Sequence, residues 1–387
     1  MNPLVRAEDI QAFINDLCDG KKNLCLFGAG LLSRTRTRWY LNYFNIKPSY
    51  LCDNNSSLWH SELYGIPCIS PDELLRIKDE VYVIVSVGYP HRAEVAKQLM
   101  GMGITKYIYS HDLNIMFEND EFLASWIGVD RIEKYQKPVE PVKPQYVGKT
   151  YSKGNKIAVY TCIAGHYDLP LTPACYPDQI DYYLITDSYD EAPGYRVLDL
   201  NKIAPPDIVR SDGPLLNRYC KFNANKIFQD YRYSIYFDGC CRITQDISDY
   251  IDYISEVGFT TFKNPINPDA YVEGFVIGTL GDYDEIMPQL KKQLKKYALE
   301  GYPRTPFGLQ GTFIARDHDN LLADEIMEDW YREFKNGVRR DQLSATYVMW
   351  KHQVDFDRYV CLPEKRLFRD WESVLHTEEK EKFKLEN

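Results

Sequence analysis

The chain has 387 residues, 44% hydrophobic and 26% charged, with a formal net charge of −10. That length exceeds one ordinary core and sets a prior of two or three domains, while the acidic balance, with no long Lys/Arg run, argues against a nucleic-acid partner. No apolar run reaches the ~18 residues of a bilayer span and no signal-type leader is seen, and the 10 Cys are scattered without a CxxC pair, against a disulfide scaffold or structural zinc. The expected home is the cytoplasm, with peripheral attachment to the inner membrane face left open.

A helical lead at about 7–18 precedes "KKNLCLFGAGLLS", an apolar strand, a glycine turn and a helix start. "PSYLCDNN", "YGIPCIS" and "EVYVIVSVG" add strands, "SPDELL" a helix start, and "HRAEVAKQLMGMG" an amphipathic helix before "KYIYS". This alternation predicts a parallel sheet covered on both faces over 1–115. Gly28 and Gly30 supply the first two glycines of G-x-G-x-x-G, with Ser33 at the third place. Such a turn lets backbone amides approach a phosphate at a helix start. Asp53 closes the next strand about 20 residues on, where a ribose-binding acid is expected, and Arg34, Arg36 and Arg38 add positive charge nearby. The same pattern also serves as a purely structural turn. "FGAG", "CDNN" and "YGIPCISPDEL" resemble the small sugar-nucleotide-binding modules of bacterial glycan-modifying enzymes.

A short helix and the proline-punctuated "QKPVEPVKPQYVGK" fill 116–153 as an extended linker. A second strand–helix alternation starts at "KIAVYTCIAG" and "IDYYLITD". It continues through the helix "GPLLNRYCKFNANKIF" into "YRYSIYFDGCC", with helices around 282–299 and 319–335, a strand at "GTFIAR" and a helix after "RRDQ". The domain is expected to span 154–375, with a polar tail over 376–387. Asp238-Gly239 reads either as a two-residue hairpin turn or as a strand end at the mouth of a ligand site. The polar, helix-like sequence that follows favours the strand end. Asp341, before "QLSATYVMW", reads as a helix N-cap or as a reacting carboxylate.

"RYCKFNANKIFQDYRYSIYFDGCCRI" resembles the stretch leading into the Asp-x-Asp motif of nucleotide-sugar glycosyltransferases with the GT-A fold. "VYTCIAGHYD", "YLITD", "YFDG", "YVEG" and "RRDQLS" together resemble most closely a glycosyltransferase-like domain shared by plant mucilage-related proteins and bacterial polysaccharide clusters. The likeness covers about 156–362. It implies an α/β chain of two Rossmann-like domains, the second of GT-A type, that moves a sugar from a nucleotide-diphosphate donor to a surface glycan or lipid-linked glycan, with retention. It further implies Arg218 and Lys221 at the diphosphate or base, and Asp238 with Gly239 at ribose or metal. Asp341 and Gln342 fall at the sugar's reacting face, with Arg340, Gln310, Thr161 and Asp187 lining the donor crevice.

Glycosyl transfer builds negative charge on a departing diphosphate, which fixed cations or a metal must meet. Mn²⁺ or Mg²⁺ at Asp238 is implied, yet Cys240 stands where the second acidic ligand belongs, and a thiol suits neither ion. Asn264 and His166 also depart from the resembled pattern, and Glu273 reads equally as a sugar-hydroxyl acceptor or a salt bridge. His318 and His352 read as surface or helix-face residues. Two other functions remain open: an NAD-dependent sugar oxidoreductase or epimerase on the amino-terminal turn, and a non-catalytic sugar-nucleotide-binding module.

Overall fold

Apolar runs without alternation build sheets buried on both faces, and two such sheets organise the chain. The computed structural model describes residues 7–373 except 35, 118, 210–211, 265–266, 280–284 and 368; the expected polar tail at 376–387 lies outside them. The fold is mixed α/β with parallel-rich sheets.

In the first sheet, β1 (Asn23–Phe27) pairs in parallel with β2 (Tyr50–Cys52) on one side, and β3 (Glu62–Leu63) pairs antiparallel with β4 (Ile66–Ile69) beyond it. β5 (Val81–Val85) and β6 (Tyr107–Tyr109) extend the other side, giving the order β3-β4-β2-β1-β5-β6. The chain therefore reverses direction between β1 and β5, leaving a crevice at their carboxyl ends. Helix α1 (Ala7–Cys18) stacks Phe13 on Tyr82, centroids 4.6 Å apart. The helix begun by "SPDELL", α2 (Pro71–Arg76), starts on a capping box in which Ser70 and Glu73 satisfy each other's backbone amides. Helix α3 (Tyr89–Gly101) buries Val95 and Leu99 against β1 and β5, and α4 (Asp120–Ile127) ends on Gly128 in the left-handed region.

In the second sheet, β7 (Ile157–Ile163) and β8 (Ile180–Thr186) are buried at every position. β9 (Arg196–Asp199) runs parallel to β8, and the chain then crosses back through α5 (Gly213–Phe222) to β10 (Tyr233–Phe237), parallel to β7 on its other side. β11 (Phe259–Thr260) and β12 (Phe313–Asp317) close the far edge antiparallel, for an order β9-β8-β7-β10-β12-β11. The direction of strand order changes between β7 and β10, and Asp238 follows the carboxyl end of β10, where ligands of such sheets bind. Between β11 and β12 lie α6 (Ala270–Thr279) and α7 (Met287–Leu299); after β12 come α8 (Leu321–Asn336) and α9 (Asp341–Lys351).

Two compact units result, Met1–Ile132 with Gly274–Lys295, and Glu133–Glu273 with Lys296–Asn387. The first therefore runs past 115 and takes in most of α6 and α7. Aromatic packing explains this: Phe275 lies 5.3 Å from Phe117, 5.4 Å from Phe122 and 5.3 Å from Trp126.

Candidate functional site

Asp238 follows the last residue of β10, and its amide donates to Thr312 O at 3.1 Å. The next short strand, Cys241–Ile243, pairs with Trp371–Ser373 and not with β10. Asp238 is therefore no hairpin turn. Its side chain, 30% exposed, accepts the Tyr236 hydroxyl at 2.8 Å and faces the Lys221 ammonium at 3.8 Å. Gly239 fits closely: a Cβ there would stand 3.0 Å from Ile163 and 3.2 Å from the Asp168 carboxylate, so either side chain would have to give way slightly.

The cations come from α5, which Asp212 caps by accepting from Leu215 N, with Pro214 in its first turn. The Tyr160 hydroxyl donates to Cys220 O and Lys221 O at the last turn, fixing the helix on β7. Lys221, almost fully buried, places its ammonium 2.6 Å from Asp341 Oδ2. Arg218 Nε lies 3.1 Å from the same oxygen, outside hydrogen-bond alignment, so it acts there as an ion-pair partner. Its guanidinium donates to Asn217 Oδ1 at 2.5 Å and lies 5.7 Å from the centre of the Phe334 ring.

Asp341 is the first residue of α9, not its cap; Arg340 occupies that place and makes no side-chain cap bond. The helix terminus favours the carboxylate, and Trp330 Nε1 donates to Asp341 O at 2.7 Å, locking the residue. Burial opposes ionisation of this carboxyl, but the Arg218 guanidinium and Lys221 ammonium override it and hold the group well below the usual carboxylate range. Burial likewise opposes charge on Arg218, and Asp341 reverses that too. Gly311, in the left-handed region, brings backbone against this triad: a Cβ would sit 3.4 Å from Lys221 Nζ.

Around this centre, Gln342 Nε2 donates to Gln310 O at 2.7 Å, while Gln310 Oε1 is buried without a hydrogen-bond partner. Arg340 Nε donates to Glu273 at 2.9 Å, and Asn267 holds the other oxygen of that buried carboxylate at 2.5 Å. Of the two readings of Glu273, the salt bridge is the one seen. Asp187 accepts from Gly165 N at 2.8 Å and from the Ser188 hydroxyl at 2.5 Å, bracing the loop after β7. Thr161 is set apart. β7 runs two residues beyond it, and because Tyr160 faces α5, Thr161 points to the opposite face of the sheet. Its buried hydroxyl has no hydrogen-bond partner.

The sequence did not single out Tyr236, Asn217, Gly311 or Trp330. Gly311 alone carried a signal, as a glycine at the mouth of a strand. His318, expected at the surface, is 1% exposed. Its Nδ1–H donates to Tyr231 O at 2.9 Å, and Nε2 accepts the Ser234 hydroxyl at 2.8 Å. Burial pushes its pKa down to about 3.

Mn²⁺ and Mg²⁺ take several hard oxygens. Asp238 Oδ1 is already bound by Tyr236, Cys240 offers a soft thiol, and no three metal-ligating side chains converge among the described residues. The donor set does not fit such an ion.

In the first unit, Gly28 has φ +107°, and a Cβ would fall 2.6 Å from Val87 and 2.7 Å from Ser86 O. Space and conformation both demand glycine. Gly30 has nothing within 4 Å of its Cβ position. Asp53 accepts from Ala29 N at 2.8 Å and from Asn55 N at 2.9 Å, and Ser33 donates to Gly28 O. A cavity of about 260 Å³ opens beside Ser33, Arg38 and Tyr64, but Gly28, Gly30 and Asp53 do not line it. The side chains of Arg34 and Arg36 lie outside the described residues.

No family model matches the chain, and no curated protein matches its sequence. Among solved structures, it is similar to WbbM, a bifunctional glycosyltransferase in its apo form, at 11% identity over 76% of this chain with a TM-score of 0.34. It is also similar to RSP, a Rex-family repressor, at 14% identity over 26% of this chain with a TM-score of 0.20. The matched part covers 52% of each of those chains. Likenesses this loose carry no argument about function.

Proposed function

We propose that the second unit is a glycosyltransferase of GT-A type that moves a sugar from a nucleotide-diphosphate donor to a glycan acceptor. One observation supports this above the rest: α5, β10 and α9 bring Arg218, Lys221, Asp238 and Asp341 together where the sheet reverses direction. Arg218 and Asp238 are the partly exposed members, suited to meet the diphosphate and the ribose. Lys221 is sealed inside, so its role is to keep Asp341 ionised and fixed. Asp341 and Gln342 then stand at the sugar's reacting face, where a carboxylate stabilises positive charge growing at the anomeric carbon. Cationic side chains take the part a metal plays elsewhere. Retention of anomeric configuration is proposed on the resemblance of "RRDQ" alone. NAD chemistry on the amino-terminal turn is not favoured, since one oxygen of Asp53 accepts from Ala29 N of that turn and the other from Asn55 N of its own loop.

The test titrates the full chain with UDP, GDP and their hexose conjugates while following thermal unfolding, because a ligand of the folded state raises its apparent stability. At least one diphosphate should raise the unfolding temperature in wild type and in Asp341→Asn but much less in Arg218→Ala. Transfer or donor hydrolysis should vanish in Asp341→Asn. Unchanged turnover in that variant, or no response to any diphosphate, overturns the reading.

A further inference from the structure

A second feature of the same unit lies at the other end of α9. There the proline-rich segment after residue 135 passes over the end of the helix and leaves an open cleft of about 930 Å³. The segment is tied at both ends. Tyr135 accepts from Phe356 N at 3.1 Å and Lys137 pairs with Asp357, while Val147 N donates to Asp319 O at 3.0 Å. Pro138, Pro141 and Pro144 stiffen the span between, so little chain freedom is lost when something fills the space beneath it.

The lining has a definite chemistry. Trp350 supplies a broad half-buried ring, surrounded by Gln136, Glu140, Glu300, Lys351 and Gln353. Planar amides and carboxylates beside a tryptophan are groups that bind hydroxyls in pairs and cover the apolar face of a sugar ring. Two carboxylates against one ammonium disfavour an acidic ligand. Gln353 adds an independent observation. It terminates α9 at φ +54°, with Val354 N donating to Met349 O and its own amide to Trp350 O. Glycine would hold that left-handed position at less cost, and here the position carries an amide side chain that lines the cleft. At the rim, Val139 is 99% exposed, an apolar side chain that a bound molecule would cover.

Nine helical steps take α9 from Asp341 to Trp350, about 13 Å of rise, so its two ends are more than one sugar unit apart. We infer that this cleft binds a neutral oligosaccharide, the distal part of the chain being extended. The inference rests on the glycosyl-transfer reading only in naming that chain as acceptor; binding itself stands on the cleft.

The experiment follows tryptophan emission of the full-length protein on titration with maltohexaose, cellohexaose, mannohexaose and, as the acidic control, a hexa-galacturonate. One neutral hexasaccharide should give a saturable change with a Kd near 1 mM or below. Binding, read by calorimetry, should weaken at least tenfold in Trp350→Phe and in Gln353→Gly, while nucleotide titrations stay unchanged. If no neutral hexasaccharide binds, if the hexa-galacturonate binds better, or if both variants bind as wild type does, the inference is overturned. Oligosaccharide binding without any transfer would uphold the cleft and defeat the proposed reaction. Transfer whose acceptor KM is indifferent to Trp350→Phe would do the reverse.

Discussion

Asp53 and Asp341 are both single acids placed beside a helix start, yet they are held by different means. Asp53 is gripped by two backbone amides of its own neighbourhood and shapes a loop. Asp341 is gripped by two cationic side chains, with its carboxylate 6% and the lysine 1% exposed. A carboxylate held by amides is replaceable by other hydrogen-bonding groups. One held by a buried lysine and a partly exposed arginine cannot be lost without weakening the hold on the buried charge, and its field persists where the medium screens poorly. The second unit thus concentrates electrostatic strength where the first unit only orders backbone.

The largest effect should come from breaking the cationic grip. Asp341→Ala leaves the buried Lys221 with only Asp238, 3.8 Å away, as counter-charge and should lower unfolding stability by ~3–5 kcal/mol in urea denaturation. Adding Lys221→Met should restore part of that loss. If the double variant is as unstable as the sum of the two singles, the pairing is not the cause.

A second test uses acid. His318 is neutral when folded and takes up a proton readily when unfolded, so its contribution is present above pH ~6.5. It should be lost as pH falls toward about 3, at a cost on the order of a few kcal/mol. Asp341, whose pKa is depressed, contributes fully above pH ~4 and loses that only in stronger acid. Urea unfolding at pH 7 and pH 4.5 should therefore differ in wild type, and the difference should shrink in His318→Asn while persisting in Asp341→Asn.

In the first unit the contrast is steric. Gly28→Ala should destabilise by ~1–3 kcal/mol, since the methyl meets backbone, whereas Gly30→Ala should stay within ~0.5 kcal/mol. Equal effects would mean that backbone contact at Gly28 does not set the tightness of the turn. Smallest of all, Asp53→Asn should cost ~1 kcal/mol. Were it to match Asp341→Ala, the distinction between the two acids would collapse.

What the sequence revealed follows sequence distance. Glycine turns, the capping box at Ser70 and the uninterrupted apolar strands are encoded within a few residues, and their elements lie where the patterns put them. Asp238 could be assigned to a strand end because the residues after it turn polar at once. The pairing of Lys221 with Asp341 spans 120 positions, and no local pattern announces that α5 and α9 meet. Thr161 shows how small an error suffices. The resemblance put Thr161 in the donor crevice, but β7 continues two residues past it, and strand alternation turns this hydroxyl away from Asp238. His318 was misplaced for another reason: "RDHDN" is polar throughout, and only the carbonyl of Tyr231 and the hydroxyl of Ser234, more than 80 residues away, make its burial affordable.

The aromatic company of Phe275 has a consequence for handling the molecule. Gly274–Lys295 emerges from the ribosome long after Ile132, yet it completes the core of the earlier unit, with Lys291 over the Trp126 ring at 5.2 Å. Trimming the polypeptide within the proline-rich span would not liberate a tidy carboxy-terminal half. It would strand a greasy helical pair beside that half and leave its counterpart with an open seam, so both fragments should clump when produced alone and recover solubility when synthesised together.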